Sequence, residues 1–198
     1  MKKHNPKLSV ALAVLLCCLS CAARAVDIEG VRFEEKLHFD LTRQDLVLNG
    51  AGVRTKFMMK VYAIGLYLTE KTYRGDVVLH HNGPKRVVIS ILMREITSEQ
   101  FMAALQDKLK SDLSHAELRA IQGSLDQING IMLSVHALRR GDVVALEYVP
   151  GHGTRVLING EVKGNYIPNE EFYRALLTGW IGAKPVNEKL KRALLGQV

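Results

Sequence analysis

The sequence lacks cysteine beyond its first 21 residues, since Cys17, Cys18 and Cys21 are the only three in the chain. The part of the chain that follows can form no disulfide and offers no thiolate as nucleophile or metal ligand. It must therefore be stabilised by a hydrophobic core. About 170 residues are enough for one domain with a sizeable core.

Sequence motifs of several common catalytic and cofactor-binding sites are also missing. There is no Gly-x-Ser-x-Gly motif, which excludes a hydrolase of the nucleophile-elbow type. Gly50-x-Gly52 has Thr55 where a dinucleotide-binding loop needs a third glycine, and no helix is predicted after it. His115, His136 and His152 are scattered without the spacing of metal ligands. The sequence therefore predicts no metal site and no cofactor.

The chain also lacks a strong charge once its first residues are set aside. Residues 1–25 hold four of the 27 basic residues and no acidic one, so removing them lowers the formal net charge from +7 to +3. No basic stripe with interleaved aromatic residues is present. A charge of this size serves solubility and predicts no nucleic-acid partner.

Residues 1–25 have the pattern of a signal peptide. Lys2, Lys3 and Lys7 precede an apolar run at residues 8–19 that is too short to span a bilayer. Residues 23–25, Ala-Arg-Ala, fit a cleavage site, which predicts cleavage between Ala25 and Val26 and a domain at residues 26–198. The chain is then periplasmic, with no membrane span after leader removal. An uncleaved anchor and lipid attachment at Cys21 are the alternatives, although Cys18 stands where a leucine is expected ahead of a lipidated cysteine.

Residues 48–68, LNGAGVRTKFMMKVYAIGLYL, are the most informative segment. The glycines at 50 and 52 allow a tight bend or close approach to another surface. From Phe57 onward, apolar, aromatic and β-branched residues predict a strand, in which alternation places Met58, Lys60 and Tyr62 on one face. Gly65 is interpreted as a bulge.

The remaining residues alternate between strand and helix patterns. Strands are predicted at 31–39, 45–48, 86–93, 142–148, 154–158 and 161–166, with Asn159-Gly160 as a two-residue hairpin turn. Capping boxes begin helices at Thr97, Ser114 and Ser124, the last after a break at Gly123 and ending near residues 139–141. Asn169 caps a helix that continues through Trp180, and Pro185 starts another at residues 186–195. This order predicts an α+β domain.

Several of these motifs resemble the chalcone isomerase-like family, in its bacterial, exported branch. The matching residues are 50–54, GAGVR, and 60–68, KVYAIGLYL, with a second set at 141–142, 159–160 and 180–182. The resemblance implies an antiparallel sheet with helices layered on one face, an open-faced β-sandwich, and a cleft between the layers.

The resemblance implies that Arg54 and Tyr62 face this cleft. The matching arginine holds the substrate in the isomerases and the carboxylate in fatty-acid-binding relatives, and Tyr62 stands where the plant isomerases have a ketone-polarising threonine. A straight strand would separate the two residues by roughly 27 Å, so a shared site requires a bend near Thr55-Lys56. An exposed arginine at a strand end and a half-buried sheet tyrosine are the structural alternatives.

The helix after Thr97 departs from the plant isomerases. The resemblance places Phe101, Ala104 and Lys108 at the positions of their tyrosine, lysine and asparagine, so the groups that would ionise the substrate and stabilise an enolate are missing. Phe101, Met102 and Leu105 suit an apolar pocket wall, and core packing explains them equally well. Trp180 is interpreted as a core anchor.

The sequence leads to three hypotheses. The first is a non-catalytic protein that binds a small amphipathic, lipid-like ligand such as a fatty acid, with Arg54 on its acid group. The second is an isomerase or intramolecular lyase acting on another substrate through Arg54 and Tyr62. The third is an envelope structural or interaction protein whose cleft is filled.

Overall fold

The structure, a computed structural model, describes residues 25–197 of the chain. Its strands are β1 Ala25–Ile28, β2 Val31–Glu34, β3 Lys36–Phe39, β4 Gln44–Lys56, β5 Met59–Leu68, β6 Lys85–Ile91, β7 Glu95–Thr97, β8 Ala137–Arg139, β9 Val143–Val149, β10 Gly153–Ile158 and β11 Glu161–Ile167. Its helices are α1 Gly75–His80, α2 Ser98–Asp112, α3 His115–Ala120, α4 Gln122–Val135, α5 Glu170–Ile181 and α6 Glu188–Leu194. The predicted leader lies outside the described residues except for Ala25, which begins β1.

Seven strands form one antiparallel sheet in the order β11-β10-β9-β6-β5-β4-β3. The helices bury one face of this sheet in a large apolar core, and the short hairpin β1–β2 covers part of the other face. The predicted α+β fold, an antiparallel sheet with helices layered on one face, is confirmed. Burying each large apolar side chain stabilises such a core by about 1.5–3 kcal/mol. Its fully buried members on the helix side include Ile64, Leu66, Ile91, Leu109, Ile128, Phe172 and Tyr173.

Two of the three predicted capping boxes are present. The Thr97 hydroxyl accepts from the backbone of Gln100, and the Ser114 hydroxyl accepts from that of Glu117. The predicted capping box at Ser124 is absent, so this prediction is wrong. Ser124 lies inside α4, and its backbone N–H donates to the carbonyl of Ile121, so the chain passes from α3 into α4 without a break at Gly123.

Two helix boundaries also differ from the prediction. Helix α4 ends at Val135 because His136 adopts a φ of 65°, after which β8 pairs with β7. Helix α6 begins at Glu188, where the Asn187 side chain accepts from the backbone of Leu190, and not directly after Pro185. In both places the residue next to the helix decides the boundary, His136 by its positive φ and Asn187 by its capping side chain.

Strands β4 and β5 form a long hairpin that reverses at Phe57-Met58. Both turn residues have positive φ, 48° and 64°, as in a type I′ turn. The prediction that a strand begins at Phe57 is therefore wrong, since β5 begins at Met59. The reversal that a shared site requires is nevertheless present, directly after Lys56.

Two irregularities in the pairing of β4 with β5 decide which residues face the helices. Asn49 is an extra residue in β4 and Val61 is an extra residue in β5. The first moves Gly50, Gly52 and Arg54 to the helix side. The second moves Lys60 to the opposite side from Tyr62, where it forms an ion pair with Glu29.

The expected positions of Lys60 and Gly65 are thereby corrected. Lys60 does not share a face with Tyr62, because the extra residue at Val61 interrupts the alternation. Gly65 pairs regularly with Ala51 and Val88 and is not a bulge. A side chain at Gly65 would instead come within 2.7 Å of the Phe33 ring, which packs there.

Asn49 also attaches the C-terminal helix to the sheet. Its buried amide nitrogen donates to the carbonyl of Leu194 over 2.7 Å, and its oxygen accepts from the backbone of Thr72 over 2.7 Å. Directly after it, a Cβ at Gly50 would overlap the backbone oxygen of Ala193. Gly50 and Gly52 therefore let helix α6 pack closely against β4. Close approach to another surface is one of the two roles that the sequence predicts for these glycines.

Candidate ligand-binding site

Arg54 and Tyr62 lie directly opposite each other across the β4–β5 hairpin. Opposed residues of an antiparallel pair project to the same side with Cβ atoms about 4.5–5.5 Å apart. Both side chains are partly buried on the side of the sheet that the helices cover. The hairpin turn thus brings together two groups that a straight strand would keep far apart.

The Tyr62 hydroxyl is held by Trp180 of helix α5. The indole Nε1–H donates to the tyrosine oxygen over 2.8 Å. Burial raises the pKa of the Tyr62 phenol, and the Trp180 hydrogen bond and the nearby Arg54 guanidinium offset part of that rise. The phenol therefore stays neutral at pH 7. The tyrosine oxygen accepts from Trp180 and interacts with Arg54, so its own O–H is the donor that it can offer to a ligand.

Arg54 carries a charge that no carboxylate neutralises within residues 25–197. Its guanidinium donates to the backbone carbonyl of Thr55, and no described acidic side chain forms an ion pair with it. A guanidinium has five N–H donors, so most remain available to a ligand. Together with the Tyr62 hydroxyl it forms a small donor cluster that suits an anionic or carbonyl group.

Helix α2 supplies apolar side chains at the same core. Phe101 and Leu105 are partly buried against the helix-side cluster, as are Tyr62 and Trp180. Met102 is only 5% exposed and packs within that cluster, so it is a residue of the hydrophobic core. The ligand contacts predicted for Phe101, Met102 and Leu105 remain predictions, since the three cavities described in residues 25–197 are lined by other residues.

Ala104 and Lys108, the α2 residues at the positions of the plant lysine and asparagine, are not part of the donor cluster. Ala104 is exposed, and the Lys108 ammonium binds the Asp112 carboxylate at 2.5 Å and the Lys184 carbonyl. Lys108 therefore ties α2 to the segment between α5 and α6.

Trp180 is the site residue that sequence reasoning missed. Trp180 packs on the core, as expected of a core anchor. Its N–H also positions Tyr62, which lies 118 residues away in the sequence. No spacing rule links two residues so distant in sequence. The one local signal is the motif at residues 180–182, which matches the chalcone isomerase-like family.

No group of three His, Cys, Asp or Glu side chains is placed to hold a metal ion in residues 25–197. Among the helices in this part of the chain, none has the length and apolar character needed to cross a membrane.

Known proteins share the fold and the family of this chain. A solved structure of a fatty-acid binding protein from Arabidopsis thaliana matches with a TM-score of 0.68 at 17% sequence identity, over 87% of this chain and 96% of that one. At this identity the likeness shows a shared fold. No curated protein matches the sequence. The chalcone isomerase-like family matches residues 25–196, nearly the whole chain. The protein therefore belongs to the chalcone isomerase-like family.

Proposed function

We propose that this protein is exported to the periplasm and binds a small amphipathic carboxylate, such as a fatty acid, without converting it. The observation that carries the proposal is the opposed pair Arg54 and Tyr62, two donors on the helix side of the sheet with no acidic partner among residues 25–197. The fold of the plant fatty-acid binding protein supports a ligand of this class.

The geometry suggests how such a ligand would be held. One carboxylate oxygen would accept from the Arg54 guanidinium and the other from the Tyr62 O–H, which Trp180 orients. Charge-assisted hydrogen bonds of this kind each contribute about 1.5–3 kcal/mol. The acyl chain would lie against the apolar side chains of Phe101 and Leu105.

A binding titration tests the role of the charge. Arg54→Gln should bind a long-chain fatty acid about 10–100 times more weakly, because it loses the charge-assisted bonds. Arg119→Gln is the matched control, since Arg119 is exposed on α3 with no ion pair in the described residues. The methyl ester should bind wild type and Arg54→Gln alike. Equal affinity of both proteins for the acid would exclude Arg54 as the anion-binding group.

A chalcone assay separates the binding proposal from the isomerase hypothesis. Arg54 and Tyr62 could also polarise a carbonyl, but α2 offers Phe101 and Ala104 where the plant enzymes have a tyrosine and a lysine. Incubation with a chalcone should therefore leave it unchanged. Turnover that disappears in Tyr62→Phe would replace the binding proposal with a catalytic one.

Export has its own test. Protein recovered from the periplasm of its own host should have Val26 as its first residue. An intact mass that includes residues 1–25, or a diacylglyceryl group on Cys21, would favour one of the two alternatives for the leader.

A further inference from the structure

The tip of the β4–β5 hairpin exposes three consecutive large apolar side chains. Phe57 is 83% exposed, Met58 96% and Met59 54%. Single exposed apolar residues are ordinary, but a contiguous group at a projecting turn marks an interaction surface. The turn is also strained, because positive φ is unfavourable for Phe and Met, and both side chains are exposed.

Cations surround this tip. The exposed side chains of Lys56, Arg94 and Arg140 form no ion pair within residues 25–197. The Lys56 Nζ atom lies 5.6 Å from the centroid of the Phe57 ring. Met58 and Met59 line one groove together with Arg94 and Arg140, and the backbone of Arg140 donates to that of Arg94.

The acidic residues near the tip do not cancel this charge. Glu29 pairs with Lys60 at 2.7 Å, and Glu95 pairs with Arg139 at 3.1 Å. Both carboxylates are thus already neutralised. The surface that a partner meets consists of three apolar side chains and three unneutralised cations, which we call the hairpin tip surface.

We propose that the hairpin tip surface docks the protein onto an anionic lipid bilayer. Phe57 and Met58 would enter the region between headgroups and acyl chains, where an aromatic ring and a flexible thioether are favourable. Lys56, Arg94 and Arg140 would lie at the level of the lipid phosphates. A second copy of this chain is a poorer partner, since its own tip would bring like charges together.

Docking would place the candidate site close to the membrane. Arg54 lies three residues before Phe57, or about 10 Å along the strand. The docking proposal does not depend on the site being occupied, because the exposed side chains and the cations are present without a ligand. The two proposals can therefore fail separately.

Flotation with lipid vesicles tests the inference. The full mature chain should bind vesicles of mixed phosphatidylglycerol and phosphatidylcholine and bind pure phosphatidylcholine far more weakly. Phe57→Asn with Met58→Gly should reduce binding about tenfold or more, because it removes the inserting side chains and supplies residues that fit a type I′ turn. Leu133→Asn is the matched control, since Leu133 is 49% exposed on helix α4 and does not line the groove that Met58 and Met59 line.

A second variant tests the charges. Arg94→Gln with Arg140→Gln should weaken binding to anionic vesicles by about 25-fold, or roughly fivefold for each cation removed. Arg119→Gln should leave it unchanged. Raising the salt concentration should weaken binding of the wild type more than that of the double variant.

Three results would overturn the inference. The first is equal vesicle binding by wild type and the Asn-Gly variant, and the second is binding that ignores the lipid charge. The third is self-association in sedimentation that the Asn-Gly variant abolishes, without any vesicle binding by the wild type. That last result would make the tip an interface between copies of the chain.

Discussion

Two hairpins of the seven-stranded sheet, β4–β5 and β10–β11, have the same kind of two-residue turn with very different residues in it. Asn159 and Gly160 join β10 to β11 with φ of 53° and 81°, and Phe57 and Met58 join β4 to β5 with 48° and 64°. Asn and Gly adopt this left-handed region at little cost, whereas Phe and Met adopt it rarely and with strain.

Side-chain hydrogen bonds separate the two turns further. The Asn159 oxygen accepts from the backbone of Val143 over 2.8 Å, and its nitrogen donates to Asp142 over 2.9 Å. Phe57 and Met58 have no polar side chain to make such bonds. The β10–β11 hairpin is therefore stabilised at its own turn.

The β4–β5 hairpin is stabilised at its other end. Asn49 binds the carbonyl of Leu194, helix α6 packs against Gly50 and Gly52, and β6 pairs along β5. These distant contacts hold the strands together, so the turn can carry residues that suit a partner instead of the backbone. Strain that is supported from elsewhere is typical of functional segments.

The largest effect is predicted for a substitution that disrupts the packing of helix α6 against β4. Gly50→Ala should lower the free energy of unfolding by about 3–4 kcal/mol, because its methyl group would overlap the Ala193 carbonyl and push α6 away. Urea unfolding measures this. Gly130→Ala is the matched control, because nothing lies within 4 Å of the added methyl in helix α4, and it should stabilise by about 0.5–1 kcal/mol. If Gly50→Ala unfolded at the wild-type urea concentration, the hairpin would have to be held by β6 alone.

The next effect transfers the unfavourable turn to the other hairpin. Asn159→Phe with Gly160→Met should lower the free energy of unfolding by about 2–3 kcal/mol. About 1 kcal/mol arises from each strained residue and the rest from the lost Asn159 hydrogen bonds. Val162→Phe, a nearby exposed change in β11, is the control for adding an aromatic surface residue. A neutral result for the double variant would mean that distant contacts also support β10–β11.

Features that depend on neighbouring residues could be predicted from the sequence. The Asn159-Gly160 turn and the capping boxes at Thr97 and Ser114 follow local rules and are present. The Ser124 box obeys the same pattern and is absent, because helix α4 has already begun at Gln122. The overall fold required the family resemblance, since strand patterns alone do not give the order of strands in a sheet.

Features that depend on tertiary contacts could not be predicted. The extra residues at Asn49 and Val61 have no local signature, yet they decide that Arg54 faces the helices and Lys60 does not. The family resemblance implied that Arg54 and Tyr62 face one cleft, and the length of a straight strand showed that a shared site needs a bend. The sequence did not predict the turn that provides this bend, because Phe57 and Met58 look like strand residues.

The smallest predicted effect separates stability from function at the same two positions. Phe57→Asn with Met58→Gly should raise the free energy of unfolding by about 1–2 kcal/mol, because it relieves two strained residues whose side chains bury little surface. Urea unfolding and vesicle flotation should be measured on the same preparation.

The two measurements should then move in opposite directions, with unfolding at higher urea and weaker binding to anionic vesicles. Met58→Asn alone should give an intermediate gain in stability, since Phe57 keeps its strain. A loss of stability in the double variant would show that Phe57 or Met58 packs in the folded protein. In that case the turn residues would be explained by folding, and the contrast with Asn159-Gly160 would no longer require a partner at the tip.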